Sequence, residues 1–381
     1  MPNQLQAEIE TSAFAFRGYN VRNLGRTPEL LAHPVFGPTV GRHLERASEI
    51  CAEIVDRPVD LVRHVLERDE PDLKRYAEAV AFVMAVEFAQ IELLEKHFGV
   101  YFSEGRLAFG YSLGELTAVA CGGVFAPEEV IRVPIAMATD AAALAENARM
   151  GVLFSRGPVI DELDVRRLCR QITAEGNGTI GISAVLSPNT YLLLGQNGTV
   201  DRFTSIMHEM LPAPAHVRVN PDRWPPMHTE IVRQRHIPDR ASVMMERMTG
   251  GFVPPCPPIV SLVTGKRSYD DFRARDILRQ WIDQPQRLWD AVYETLAAGV
   301  TTVIHVGPEP NVTPATFHRL SDNVQQQTSG HSLGSYGLRA AAGLARRPWL
   351  SAILPSRTAL LRAPSVKHVI LEDWLLANGA I

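Results

Sequence analysis

Leu107-Ala108-Phe109-Gly110-Tyr111-Ser112-Leu113-Gly114-Glu115 reads as a short apolar strand, a G-x-S-x-G turn and the start of a helix. That order presses Ser112 into a sharp strand-to-helix bend with its hydroxyl exposed at the end of a sheet. Glycine on both sides of the bend leaves room where a larger side chain would strike the backbone. The helix that follows turns its free N–H groups and positive dipole end toward the serine, an arrangement suited to an anionic tetrahedral intermediate. Acyl chemistry on an activated Ser112 is the expectation.

Gly330-His331-Ser332-Leu333-Gly334 matches the same pattern. The polar run Asn323-Val324-Gln325-Gln326-Gln327-Thr328-Ser329 precedes it and offers no buried strand, so Ser332 is expected in a loop.

The chain has 381 residues, enough for one large domain or two, with 46% hydrophobic and 21% charged residues, as in ordinary soluble globular proteins. A net charge of −4 calls for neither nucleic acid nor a membrane surface as partner. Cys51, Cys121, Cys169 and Cys256 form no C-x-x-C pair, and they predict reduced thiols in a cytoplasmic protein without a metal site. The first residues are polar and acidic, unlike a secretory signal, and no apolar run approaches the length of a membrane span.

Helical spacing of apolar residues marks 44–56, 74–97 and 127–149, the last with Pro127 in its first turn. The stretch 76–97 is long and rich in Ala, Val and Phe, and is expected beside the strand that leads to Ser112. Strand-like runs at 152–154, 179–185 and 191–194, with helices at 160–174 and 199–210, give a β-α-β-β-α order. That order predicts a small ferredoxin-like unit within a larger α/β domain. A strand at 258–263, helices at 274–282 and 285–298, and a buried strand at 303–306 follow.

Four blocks together resemble the malonyl-CoA:acyl-carrier-protein transacylase family, which includes polyketide-synthase acyltransferase domains. Phe14-Ala15-Phe16-Arg17-Gly18 to Gly25 stands where that family has a strand and F-P-G-Q-G-S-Q. Gly110 to Val124 matches G-H-S-L-G-E-x-x-A-x-x-x-A-G-x, and Pro226-Met227-His228 falls at the family's histidine. Pro285 to Trp289, then Ala298-Gly299-Val300 through His305-Val306-Gly307-Pro308, match P-V-x-W and G-V-x-x-x-x-E-V-G-P. The resemblance runs from about residue 14 to about 325.

The resemblance implies an α/β-hydrolase-like parallel-sheet core, 1–150 and 223–330, with an inserted ferredoxin-like small subdomain, 151–222, and a C-terminal extension, 331–381. It implies ping-pong acyl transfer without a bound cofactor, from an acyl-CoA or phosphopantetheine thioester, with acyl carrier protein as partner. Carried over by position, Ser112 is the nucleophile, His228 its base, and the N–H groups of Leu113 and Tyr19 the oxyanion donors. A backbone carbonyl at Gln280 or Trp281 is implied to orient the histidine, because the loop before Pro285 is one residue longer than usual. A monomer is expected.

Three departures bear on the substrate. The family's malonyl-binding arginine is implied 25 residues beyond the serine, where this chain has Met137. A guanidinium pairs both oxygens of a malonyl carboxylate and a thioether cannot, and an unpaired buried carboxylate costs about 3–5 kcal/mol. An uncharged acyl group is therefore expected, unless Pro134 shifts the helix enough to bring Arg132 into that place. The F-P-G-Q-G-S-Q loop reads Phe16-Arg17-Gly18-Tyr19-Asn20-Val21-Arg22, with Arg17 or Arg22 as a possible new anion contact. Tyr111 precedes the serine in place of histidine, and with Met137 and Met227 it is expected to shape the acyl pocket. The extension carries Arg339, Arg346, Arg347, Arg357, Arg362 and Lys367, which either help dock an acidic carrier or form the solvated face of a packed helix.

A non-malonyl acyltransferase of polyketide or fatty-acid-type biosynthesis is the expected function. An acyl-thioester hydrolase that clears carrier proteins and a catalytically degenerate docking subunit are the alternatives. An ordinary Ser-Asp-His hydrolase is disfavoured, since no H-G-G-G-type loop is present.

Overall fold

The computed structural model describes residues 4–156, 158–211, 214–329 and 356–379. Ser332, Arg339, Arg346 and Arg347 lie outside the described residues.

The strand Ser12–Phe16 (β1) is buried along its whole length, as only an interior strand of a parallel sheet can be. It pairs in parallel with Leu107–Gly110 (β2) on one side and Thr302–Val306 (β8) on the other. Ile259–Val260 (β7) extends the β2 edge and Lys367–Ile370 (β9) the β8 edge, giving the order β7-β2-β1-β8-β9. Alternation along β1 sends Phe14 and Phe16 into one core and Ala13 and Ala15 into the other. Phe16 stands level with Gly110 and with Val306, so the turns after β1, β2 and β8 converge at one end of the sheet. In open α/β sheets that end holds the ligand crevice.

The helix Tyr76–Phe98 lies inside the first core. Its apolar positions run around the whole circumference, which suits an internal helix and not an amphipathic surface one. Asp72 caps the short turn that leads into it, accepting the Lys74 and Arg75 N–H groups, and Gly99 ends it at φ 62°. The helix Pro127–Ala145 continues through Pro134 without interruption.

A second, antiparallel sheet has the order β4-β5-β3-β6, from Ala148–Ser155 (β3), Ile180–Ser187 (β4), Thr190–Gln196 (β5) and Ala215–Val219 (β6). The helices Glu162–Ala174 and Thr199–Ile206 complete a β-α-β-β-α-β lobe, the ferredoxin-like order. Sequence patterning misses β6, because Ala-His-Val-Arg-Val is an edge strand with no buried face.

Near the C-terminus, β9 joins the main sheet and leads into the helix Leu371–Asn378. Leu371 and Leu375 are buried, and Trp374 packs edge-on against Phe98. Two of the basic residues serve the body of the protein: Arg362 donates to Leu296 O, and Lys367 pairs with Glu8.

Candidate active site

Ser112 sits between β2 and the helix Leu113–Cys121 with φ 53° and ψ −116°, a conformation that costs a side chain about 1–3 kcal/mol. A Cβ on Gly110 would lie 2.0 Å from Gly114 C, and one on Gly114 would lie 2.5 Å from Arg17 O, so both positions require glycine. The strained residue is held at both ends. Its N–H donates to Gln286 Oε1 at 3.0 Å, and its carbonyl accepts from Trp281 Nε1 at 2.8 Å.

His228 Nε2 is 2.6 Å from Ser112 Oγ, and His228 Nδ1 is 2.6 Å from Trp281 O. A carbonyl can only accept, so the ring proton is on Nδ1 and the Nε2 lone pair faces the serine hydroxyl. The histidine also has a positive φ, 64°, and its N–H is fixed to Ile282 O at 2.8 Å. Burial pushes its pKa down to about 4, against the Trp281 carbonyl, which favours the protonated ring. At neutral pH the imidazole is a neutral acceptor, ready for the hydroxyl proton.

The N–H groups of Leu113 and Tyr19 have no hydrogen-bond partner among the described residues. Leu113 is the first residue of its helix, where an unpaired N–H is the rule. Tyr19 follows Gly18, on which a Cβ would lie 3.2 Å from Ser112 Cβ, so this loop runs directly beside the serine. The Tyr19 ring packs edge-on against Tyr76 and Trp224.

Below the serine an apolar cavity is lined by Leu113, Tyr76, Val133, Pro134, Met137 and Met227, among others. Among the described residues, none that lines it carries a charge. Arg132 does not enter it, because its guanidinium is paired with Glu53 at 3.0 and 2.7 Å.

Several expectations need correction. Tyr111 lines a separate small cavity with Arg17, Gly18 and Pro310–Pro314, since alternation at the end of β2 turns it away from Met137. Gln280 is exposed and donates to Asp276 O; the extra residue before Pro285 leaves the Trp281 carbonyl at the histidine. Arg17 is no anion contact, because it is buried and occupied by the carbonyls of Gly18, Arg22 and Pro308 and by Asn23 Oδ1. Sequence reading missed Gln286 and the Trp281 indole, whose roles depend on contacts made across more than 150 positions of chain. Among the described residues no cluster of His, Cys, Asp or Glu is arranged to hold a metal ion, and no helix is long and apolar enough to cross a membrane.

The architecture, a parallel α/β core with a ferredoxin-like lobe, resembles that of solved acyl carrier protein S-malonyltransferases. A solved example from Vibrio cholerae O1 superposes with a TM-score of 0.65 at 20% identity, covering 80% of this chain and 92% of its own. In sequence the chain resembles the malonyl transacylase and polyketide-synthase acyltransferase family. It is 25% identical over 310 residues to polyketide synthase GfsA of Streptomyces halstedii, an alignment of 78% of this chain and 4% of that protein. It is 20% identical over 277 residues to a malonyl CoA-acyl carrier protein transacylase of Bacillus subtilis, covering 72% of this chain and 65% of that one. The chain thus spans less than two thirds of the length of either relative. No protein-family model matches it.

Proposed function

We propose that this chain is an acyltransferase that moves an uncharged acyl group between CoA and acyl-carrier-protein thioesters through an acyl-Ser112 intermediate. The observation that carries the reading is the Ser112 Oγ–His228 Nε2–Trp281 O chain, with both contacts at 2.6 Å, opening onto a cavity without a charged wall. His228 Nε2 takes the Ser112 proton as Oγ attacks the thioester carbonyl, and the N–H groups of Leu113 and Tyr19 receive the oxyanion. The carbon–sulfur bond breaks, and the departing thiolate takes the proton from His228. A carrier thiol then repeats these steps in reverse: its proton passes to His228, its sulfur attacks the acyl carbon, and Ser112 Oγ leaves and is reprotonated. The names of the Vibrio cholerae and Bacillus subtilis proteins support a carrier protein as the acyl acceptor.

The apolar wall at Met137 supports an uncharged acyl group, since a malonyl carboxylate there would lose its water and gain no cation. Intact-protein mass spectrometry after incubation with a panel of acyl-CoAs tests this. Adducts with acetyl and longer uncharged chains and little with malonyl are expected; preferential malonyl loading would overturn the substrate assignment.

A further inference from the structure

Gln286 lies in the turn between the helices Ala274–Trp281 and Leu288–Ala297 and has no exposed surface. Its main chain belongs to the small lobe: Gln286 N donates to Ser183 O and Val185 N donates to Gln286 O, each at 2.8 Å, so the residue bridges to β4. Its side chain points the other way, into the candidate active site. Oε1 accepts the Ser112 N–H at 3.0 Å, and Nε2 is 3.3 Å from His228 Nδ1. The neighbouring Ser183 Oγ donates to Met227 O at 3.1 Å, so the same strand also holds the residue before the histidine.

The orientation of the amide follows from its partners. The Ser112 N–H can only donate, so the oxygen faces it and the NH2 group is left against the imidazole. Nδ1–H is already committed to the Trp281 carbonyl at the shorter distance, so the amide offers the ring no acceptor. An NH2 dipole in that place disfavours a second ring proton. Without Gln286, the part-buried Ser112 N–H would lose its acceptor at a residue held in a positive-φ conformation.

We propose that Gln286 is a positioning residue that couples the small lobe to the acyl-transfer pair. It seats the Ser112 main chain through Oε1 and keeps His228 unprotonated through the NH2 group facing Nδ1. The proposal rests on reading Ser112 and His228 as the reacting pair. The other groups facing the ring are the Ser112 hydroxyl and the Trp281 carbonyl and indole, and no charged side chain among the described residues contacts it.

The test is the rate at which a fluorophosphonate probe labels Ser112 in the full chain, from about pH 4 to about pH 9, in the wild type, S112A, Q286E and Q286M. Q286E keeps an oxygen for the Ser112 N–H and puts an anionic acceptor at Nδ1, so its acid limb moves up by about one pH unit or more. Q286M leaves the N–H unpaired and lowers the plateau rate by about tenfold or more. An unmoved acid limb in Q286E overturns the proposal, as does a Q286M plateau within about threefold of the wild type. If Q286M does not fold, the Q286E limb decides alone. Wild-type protein labelled no faster than S112A would overturn the acyl-transfer reading itself, and this proposal with it.

Discussion

Arg17 Nε donates to Gly18 O at 2.8 Å, fixing the peptide plane whose opposite edge is the Tyr19 N–H. In a trans peptide the C=O and N–H point in opposite directions, so anchoring the carbonyl aims the amide hydrogen. The same guanidinium reaches Pro308 O, Arg22 O and Asn23 Oδ1, and the Arg17 N–H donates to Glu87 Oε1 at 3.0 Å. A buried cation thus does what a rigid proline would do at this place in the loop. Arg17→Lys keeps a charge but loses the planar fork, and is expected to lower the acylation rate by about 10–100-fold with KM nearly unchanged. Steady-state kinetics with the acyl-CoA that loads best checks the split.

Met137→Arg places a guanidinium against the apolar cavity wall. Malonyl loading is expected to appear, and loading of uncharged chains to fall by about tenfold or more, because the new cation is unpaired without a carboxylate. Competition between acetyl-CoA and malonyl-CoA, read by intact mass, reports the exchange. Unchanged preference would remove Met137 from the specificity account.

With His228 as the proposed base, the pH dependence of activity is set by a ring whose burial lowers its pKa to about 4. Only the neutral ring accepts the serine proton, so kcat/KM is expected to stay level as pH falls through 6.5 and to drop only on approach to about 4. A conventional acid limb near about 6.5 would mean a solvated histidine.

Stability has a different pH signature. Burial raises the Glu87 carboxyl to about 8 and the Glu115 carboxyl to about 7. A raised folded-state pKa gives stability that is full below the unfolded value of 4.5 and is lost as pH climbs to the folded value. His228 and His368, both lowered to about 4, act oppositely and only below 6.5. Between 6.5 and about 8 these carboxyls therefore govern, and Tm is expected to fall with rising pH, less steeply in Glu87→Gln. Thermal melts in matched buffers measure both slopes.

The parts legible in the sequence are those encoded locally. Gly110, Ser112 and Gly114 announce the turn because their spacing is itself the steric requirement. The buried run of β8 announces a strand in the same way, whereas β1 and the parallel sheet were expected only through the resemblance. What was not legible depends on distant partners. β9 is a strand only because β8 offers an open edge, and β6 has no apolar face to reveal it. Gln286 reads as an ordinary turn residue until the fold brings it to Ser112, 174 positions away. Arg17 suggested an anion site because its four oxygen partners lie in the turns after β1 and β8.

Whether Ser112 carries the acyl group is decided by tandem mass spectrometry of the trypsin-digested protein after incubation with acetyl-CoA and longer uncharged acyl-CoAs. The acyl mass is expected on Ser112 within the peptide spanning 107–132, absent from Ser112→Ala and discharged by a holo carrier protein. An acyl group that maps to any other residue, or one that persists in Ser112→Ala, would contradict it.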